Sequence, residues 1–229
     1  MGAVSIEFPA QIKRVAKQIS DAADSAILAY REELITDEPS ITDRWLGAVA
    51  NASAPARWSK STRDRIYWRA KTLRSASGRS AEEKRHGADL LGVAEIHVGG
   101  SVIRKGFLGQ AKRIEPGAKV DGAEWARLKQ QSELMLERSA ASFILTYSRY
   151  FGIMFVPAIT VANIERADLF TLNRMTIRGF FEMHLGCFIG DRRLSSPNIR
   201  TLDALLEIEA LRDFPVENIL HIIVTAEPR

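Results

Sequence analysis

The stretch from Gly87 to Lys112 restricts this chain most. Leu90 to Val98 is a run of apolar and small residues that suits a strand, Gly99-Gly100 suits a reversal, and Val102 to Ala111 suits a returning strand. Side chains alternate along a strand, so Leu108, Gln110 and Lys112 share one face with neighbours about 7 Å apart. An acid at the start of the first strand, Asp89, therefore faces an amide and an ammonium on the second.

The flanking segments say what covers this hairpin. Ile12, Val15, Ile19, Ala22, Ala23, Ala26, Ile27 and Tyr30 recur at three- and four-residue steps, which predicts a helix over 10–34 that Pro39 stops. Ser40 or Thr42 can cap a second helix carrying Ile41, Trp45, Leu46 and Val49. After the hairpin, Glu115-Pro116-Gly117 opens a polar loop, and Trp125, Leu128, Gln131, Leu134, Met135 and Arg138 mark a helix over 124–139. Ser142 to Tyr147 reads as a strand, and Ile153 to Val161 as another, interrupted at Pro157. A helix over 171–185, a short helix over 202–211 and a last strand over 219–225 follow. This order predicts an α/β (α+β) fold in which a mixed sheet carries helices on its faces, preceded by N-terminal helices.

With 229 residues, 46% of them hydrophobic, the chain can form one unit with an ample core. That unit divides into a helical N-terminal part over 1–80, a core over 81–165 that holds the candidate chemistry, and a helix-helix-strand extension over 166–229. The lone Cys187 excludes an internal disulfide and a thiolate zinc cluster, fits a reducing compartment, and reads as a core residue. Four scattered histidines lack zinc spacing. There is no charged-then-apolar leader, and the longest apolar stretch is broken by Arg149 and Pro157. These features predict a soluble cytoplasmic protein with no membrane partner.

The net charge of +4 identifies no partner by itself, but its distribution is uneven. From Arg57 to Arg85 cations crowd, among them Arg63, Arg69, Lys71, Arg74, Lys84 and Arg85, with Trp58, Tyr67 and Trp68 between them. One reading is a solvated helix face whose aromatics pack inward. The other is a phosphate-binding surface with aromatics placed to stack on bases, and it gains weight from the candidate metal site that follows directly.

Hydrolysis of a phosphodiester with a hard cation needs converging oxygen ligands and a positive group near the attacking water. Asp89 supplies an anionic ligand, the Gln110 side chain and the Ala111 carbonyl supply neutral oxygens, and Lys112 supplies the cation. One carboxylate is a thin anchor for Mg²⁺, and Glu83, six residues before Asp89, is the nearest candidate for a second. Glu95 and His97 share the Asp89 face further along the strand and read as rim residues.

Glu83 to Asp89 followed by Gln110-Ala111-Lys112 resembles the PD-(D/E)xK superfamily of restriction-endonuclease-like nucleases, in the variant where Gln replaces the acid before x-Lys. The resemblance covers roughly 83–147. It implies a restriction-endonuclease-like fold and a Mg²⁺- or Mn²⁺-dependent endonuclease, of the kind found in bacterial restriction and anti-phage defence, acting on double-stranded DNA. By position, Asp89 matches the metal-binding Asp, Gln110 the D/E position and Lys112 the lysine. The upstream acid is Glu83, Glu82, or Glu38 if the first helices fold back over the hairpin. The expected catalytic set is Glu83, Asp89, Gln110 and Lys112, the metal set Glu83, Asp89, Gln110 and Ala111, and the nucleic-acid set Arg63, Arg69, Lys71, Arg74, Lys84, Arg85 and Gln131. A homodimer or a defence-system partner is compatible with such a nuclease, as is an RNA substrate. The missing acid at Gln110 keeps open a non-catalytic module of the same fold that holds nucleic acid or protein.

Overall fold

The computed structural model describes residues 7–52, 66–72, 87–98, 100–118, 120–194 and 218–226. Among them are helices α1 (Glu7–Arg31), α2 (Glu38–Ala52), α3 (Gly122–Arg138), α4 (Ala158–Ala162) and α5 (Ile177–Leu185). The strands are β1 (Ile66–Thr72), β2 (Leu90–Val98), β3 (Ser101–Arg113), β4 (Ser142–Ser148), β5 (Gly152–Pro157), β6 (Met175–Thr176) and β7 (Asn218–Ala226). The strands form one seven-stranded sheet in the order β1-β7-β2-β3-β4-β5-β6. The β7-β2 and β3-β4 pairs are parallel and the rest antiparallel, so the fold is mixed α/β. No described helix is long and apolar enough to cross a membrane.

Burial on both faces explains the strand sequences. Every residue of β4 is buried, as a near-continuous apolar run in a central strand requires. One face packs against α1, α2 and α5 through Ile19, Trp45, Phe107, Phe143, Phe155 and Phe180, while the other meets α3 and α4 through Leu108, Leu128, Met135, Ile144 and Val161. Phe155 and Phe180 stack with centroids 3.8 Å apart, and Phe107 meets Phe180 edge-on at 4.8 Å. Each such ring contributes about 1.5–3 kcal/mol through burial. Gly92 pairs with Phe107 across the hairpin, and a Cβ there would lie 2.1 Å from the Phe107 ring, so glycine lets the ring lie across the sheet.

Several expectations are corrected. α2 is capped by Asp37, which accepts from Ser40 N at 2.9 Å and Ser40 Oγ at 2.7 Å, and not by Ser40 or Thr42. The acid outcompetes the hydroxyls because its two oxygens take both donors at once. α1 ends at Arg31, and Pro39 lies inside the first turn of α2, where a missing N–H costs nothing. Pro157 ends β5, and the chain turns helical after it. The segment expected as one helix over 171–185 is helical only from Ile177, after β6, and Thr176 caps α5 by accepting from Gly179 N at 3.1 Å. Cys187 is exposed, with φ +70°, and not in the core. Within the basic run, Ile66–Thr72 is a strand paired with β7, where a helix face was one expectation. β7, from the part over 166–229, lies between β1 and β2 in the sheet. The short helix expected over 202–211 lies outside the described residues.

Candidate active site at the open end of the sheet

The hairpin forms with Leu90 opposite Gly109, which sets Asp89 against Gln110. Asp89 N donates to Gly109 O at 2.8 Å, and Asn218 N donates to Asp89 O at 2.9 Å, so the residue ties the start of β2 to both neighbouring strands. Gly87 explains how the chain reaches this point. Its φ is +72°, and a Cβ there would lie 2.3 Å from Gln131 O, so the approach to Asp89 runs directly against the backbone of α3.

Asp89 Oδ2 accepts from Ala111 N at 3.0 Å and from Gln110 Nε2. Gln110 Nε2 also donates to Ala111 O at 3.2 Å. The amide nitrogen thus joins a carboxylate oxygen and a carbonyl oxygen, while Gln110 Oε1 is buried without a hydrogen-bond partner in a residue only 6% exposed. An unsatisfied buried oxygen costs about 1–3 kcal/mol. The reverse orientation of the amide would bring Oε1 toward the carboxylate, an arrangement that repels unless a cation lies between them.

Lys112 follows on the same face, and its Nζ pairs with Glu124 Oε1 of α3 at 2.8 Å, with the lysine side chain 14% exposed. Glu38, in the first turn of α2, accepts from Arg113 N at 2.7 Å. Behind it Thr42 Oγ1 donates to Glu38 O at 3.0 Å and meets Tyr147 Oη at 2.7 Å. Burial, and then the fields of Asp89, Glu38 and Asp43, push the Tyr147 hydroxyl above its ordinary pKa, against the pull of its bond to Thr42.

A cavity of about 120 Å³ opens between α2, α3 and the sheet, with Glu38, Asp89, Gln110, Lys112, Arg127 and Gln131 in its wall. A second, of about 200 Å³, adjoins it beyond Lys112 and Glu124, with Tyr30, Arg113 and Glu115 around it. Comparison of the chain with family models, with curated proteins and with solved structures finds no match in any of the three. The site is therefore read from its own geometry.

That geometry joins Asp89, Gln110, Ala111, Lys112 and Gln131 with Glu38, the one of the three nominated upstream acids that lies among the described residues. Glu82, Glu83, Arg63, Arg74, Lys84 and Arg85 lie outside the described residues. Arg69 and Lys71 are on β1, two strands from β2; Thr72 at its end is level with Asn218, which is level with Leu90. Glu95 and His97 stand away from the cavity, Glu95 accepting from Arg104 Nε at 2.9 Å and meeting His97 Nε2 at 2.7 Å. Sequence reasoning missed Arg127 and Glu124. The signal for both was their spacing from Gln131, four and seven residues earlier on one helix face.

Among the described residues, no three His, Cys, Asp or Glu side chains cluster as a metal site. A carboxylate and a backbone carbonyl converge on the Gln110 amide nitrogen, and with that amide turned over its Oε1 would complete a set of hard oxygens of the kind Mg²⁺ and Mn²⁺ take. The partnerless Gln110 Oε1 makes this set a fit for such an ion.

Proposed function

We propose that the chain is a metal-dependent nuclease of the PD-(D/E)xK, restriction-endonuclease-like kind, hydrolysing phosphodiester bonds of DNA, in keeping with restriction or anti-phage defence. The observation that supports this best is the convergence of Asp89, Gln110 and Ala111 around one amide nitrogen, with Gln110 Oε1 buried and unpaired beside them. Asp89, Gln110 Oε1 and Ala111 O would hold the ion, and Glu38 is the second acid whose place in the cavity wall supports that role. Bound there, Mg²⁺ or Mn²⁺ supplies Lewis acidity toward the phosphate and lowers the pKa of water.

The chain's own groups divide the remaining tasks. Lys112 stands two residues beyond Gln110 on the same face, where its ammonium offsets negative charge as water oxygen bonds to phosphorus and the ester oxygen leaves. Arg127 and Gln131, four residues apart on α3, face the cavity and hold non-bridging phosphate oxygens by hydrogen bonds. Glu124 holds the Lys112 ammonium in place through their ion pair at 2.8 Å.

A second reading is a non-catalytic module of this fold that binds nucleic acid or protein. Two observations favour it: Gln stands where an acid would strengthen the ion site, and the Lys112 ammonium is already taken up by Glu124. Incubation of the purified chain with plasmid and Mg²⁺ or Mn²⁺ separates the readings. The nuclease reading expects cleavage that Lys112→Ala abolishes; the binding module expects intact plasmid.

A further inference from the structure

The turn between β4 and β5 is organised more tightly than a plain hairpin loop needs. Arg149 N donates to Glu115 Oε1 and Oε2 at 2.9 and 3.1 Å. Tyr150 N and Phe151 N both donate to Ser148 Oγ, at 3.0 and 3.2 Å, and Ser148 Oγ in turn donates to Glu115 Oε2 at 2.7 Å. Gly152, at φ +74°, closes the turn. All three consecutive amides are satisfied by side chains, so this backbone is fixed in advance.

What the fixed turn displays is an aromatic side chain. Tyr150 is 76% exposed and Phe151 48%. A single exposed aromatic is ordinary on a protein surface. Here its two chain neighbours bring guanidinium groups held against rings: Arg149 lies 4.8 Å from the Tyr30 centroid, and Arg174 lies 5.5 Å from Phe151 and 5.7 Å from Phe170. Exposed aromatic faces with neighbouring cations are what unpaired bases and their phosphates require. Of the nearby carboxylates, Glu115 is occupied by the turn's own donors, and Glu33 Oε1 pairs with Arg149 Nη1 at 3.1 Å on the exposed surface.

The turn also stands at the correct end of the sheet. β4 runs parallel to β3 with Ile144 opposite Gln110, so both strands finish at the cavity end. Ser148 lies four residues past Ile144, roughly 13 Å along the strand. The second cavity, with Arg113 and Glu115 in its wall, lies between.

We propose that the turn over 149–151 is a stacking site for an unpaired base, with Tyr150 as the platform, so that the substrate carries single-stranded nucleotides a few phosphates from the bond at the cavity. The proposal rests on the nuclease reading for the position of that bond, but its own test is binding. Wild type, Tyr150→Ala and Tyr150→Trp full-length chains are titrated, without divalent metal, with a labelled single-stranded oligonucleotide and with its blunt duplex. A second strand carries 2-aminopurine, whose fluorescence falls on stacking.

Tyr150→Ala is expected to weaken single-strand binding about 10-fold or more and to abolish the 2-aminopurine quenching, while Tyr150→Trp retains both. Duplex affinity and thermal melting stay as in wild type. Equal single-strand affinity in wild type and Tyr150→Ala overturns the proposal, as does a wild type that binds no single strand. A Tyr150→Ala change from dimer to monomer with unchanged oligonucleotide affinity also overturns it, assigning the turn to self-association. The parallel plasmid assay keeps the two ideas apart: cleavage with Tyr150-independent strand binding sinks stacking alone, and Tyr150-dependent binding without cleavage sinks the nuclease reading alone.

Discussion

The two ends of one hairpin face carry similar chemistry and treat it differently. At the far end Glu95 is met by Arg104 and His97, so its carboxylate is fully engaged. Burial raises the Glu95 pKa, but these two partners more than offset it and hold the carboxyl below its ordinary value. At the near end Asp89 accepts from an amide and a backbone N–H, Gln110 keeps a bare oxygen, and Lys112 turns to a helix acid. The difference comes from what surrounds each end. α2 and α3 rise on either side of Asp89 and leave a cavity between them, whereas Glu95 finds its partners on its own hairpin. Acid plus cation on a strand is therefore not a site until other elements keep part of its hydrogen bonding unfilled.

That contrast can be broken most sharply by matched substitutions. Lys112→Ala and Asp89→Asn should each lower plasmid cleavage by ~100-fold or more, while Glu95→Gln stays within about 2-fold of wild type, read from initial rates. Gly87→Ala attacks the framing itself, because the new Cβ meets Gln131 O and the positive φ strains any other residue. It should cost roughly 1–3 kcal/mol in denaturant unfolding and lower cleavage as well, by moving Asp89 away from α3.

Acid should act on the far end first. Burial, and then the Lys105 ammonium, lower the His184 pKa from 6.5 to about 3, against the pull of its bond to Ile189 O. The unfolded chain therefore takes up a proton that the native one refuses, and stability falls as pH drops from about 6.5 toward 3. His184→Gln should flatten the melting temperature over that window. Asp191, held down to about 2 chiefly by Arg193, instead supports the fold above the ordinary carboxylate range and loses that support only as pH falls through about 2. The smallest effect belongs to the far ion pair: Arg104→Met should cost about 1 kcal/mol or less in unfolding, since the arginine side chain is partly exposed and screened.

Much of the scaffold was legible because its signals are local and periodic. The α1 stripe from Ile12 to Tyr30 is buried as its spacing requires, and the strands at 90–98 and 142–148 follow from apolar runs bounded by glycine and serine. β1 was hidden because a cation-rich run masks alternation. The Asp37 cap was hidden because two hydroxyl residues downstream satisfy the same pattern. The site was half legible. Asp89, Gln110 and Lys112 lie on adjacent strands of a short hairpin, where pairing follows from the turn. Glu38 reaches the same cavity only because α2 folds back across the sheet, a contact that no local spacing encodes. Spacing instead favoured Glu83, which lies outside the described residues.

The central claim is that the near end is a cation site and the far end is not. Calorimetric titration of Mn²⁺ into the full chain with a short DNA present tests it most directly. The account predicts saturable binding in wild type and in Glu95→Gln that is lost in Asp89→Asn. Wild-type protein that takes up no Mn²⁺, or an Asp89→Asn chain that binds it as wild type does, would contradict it.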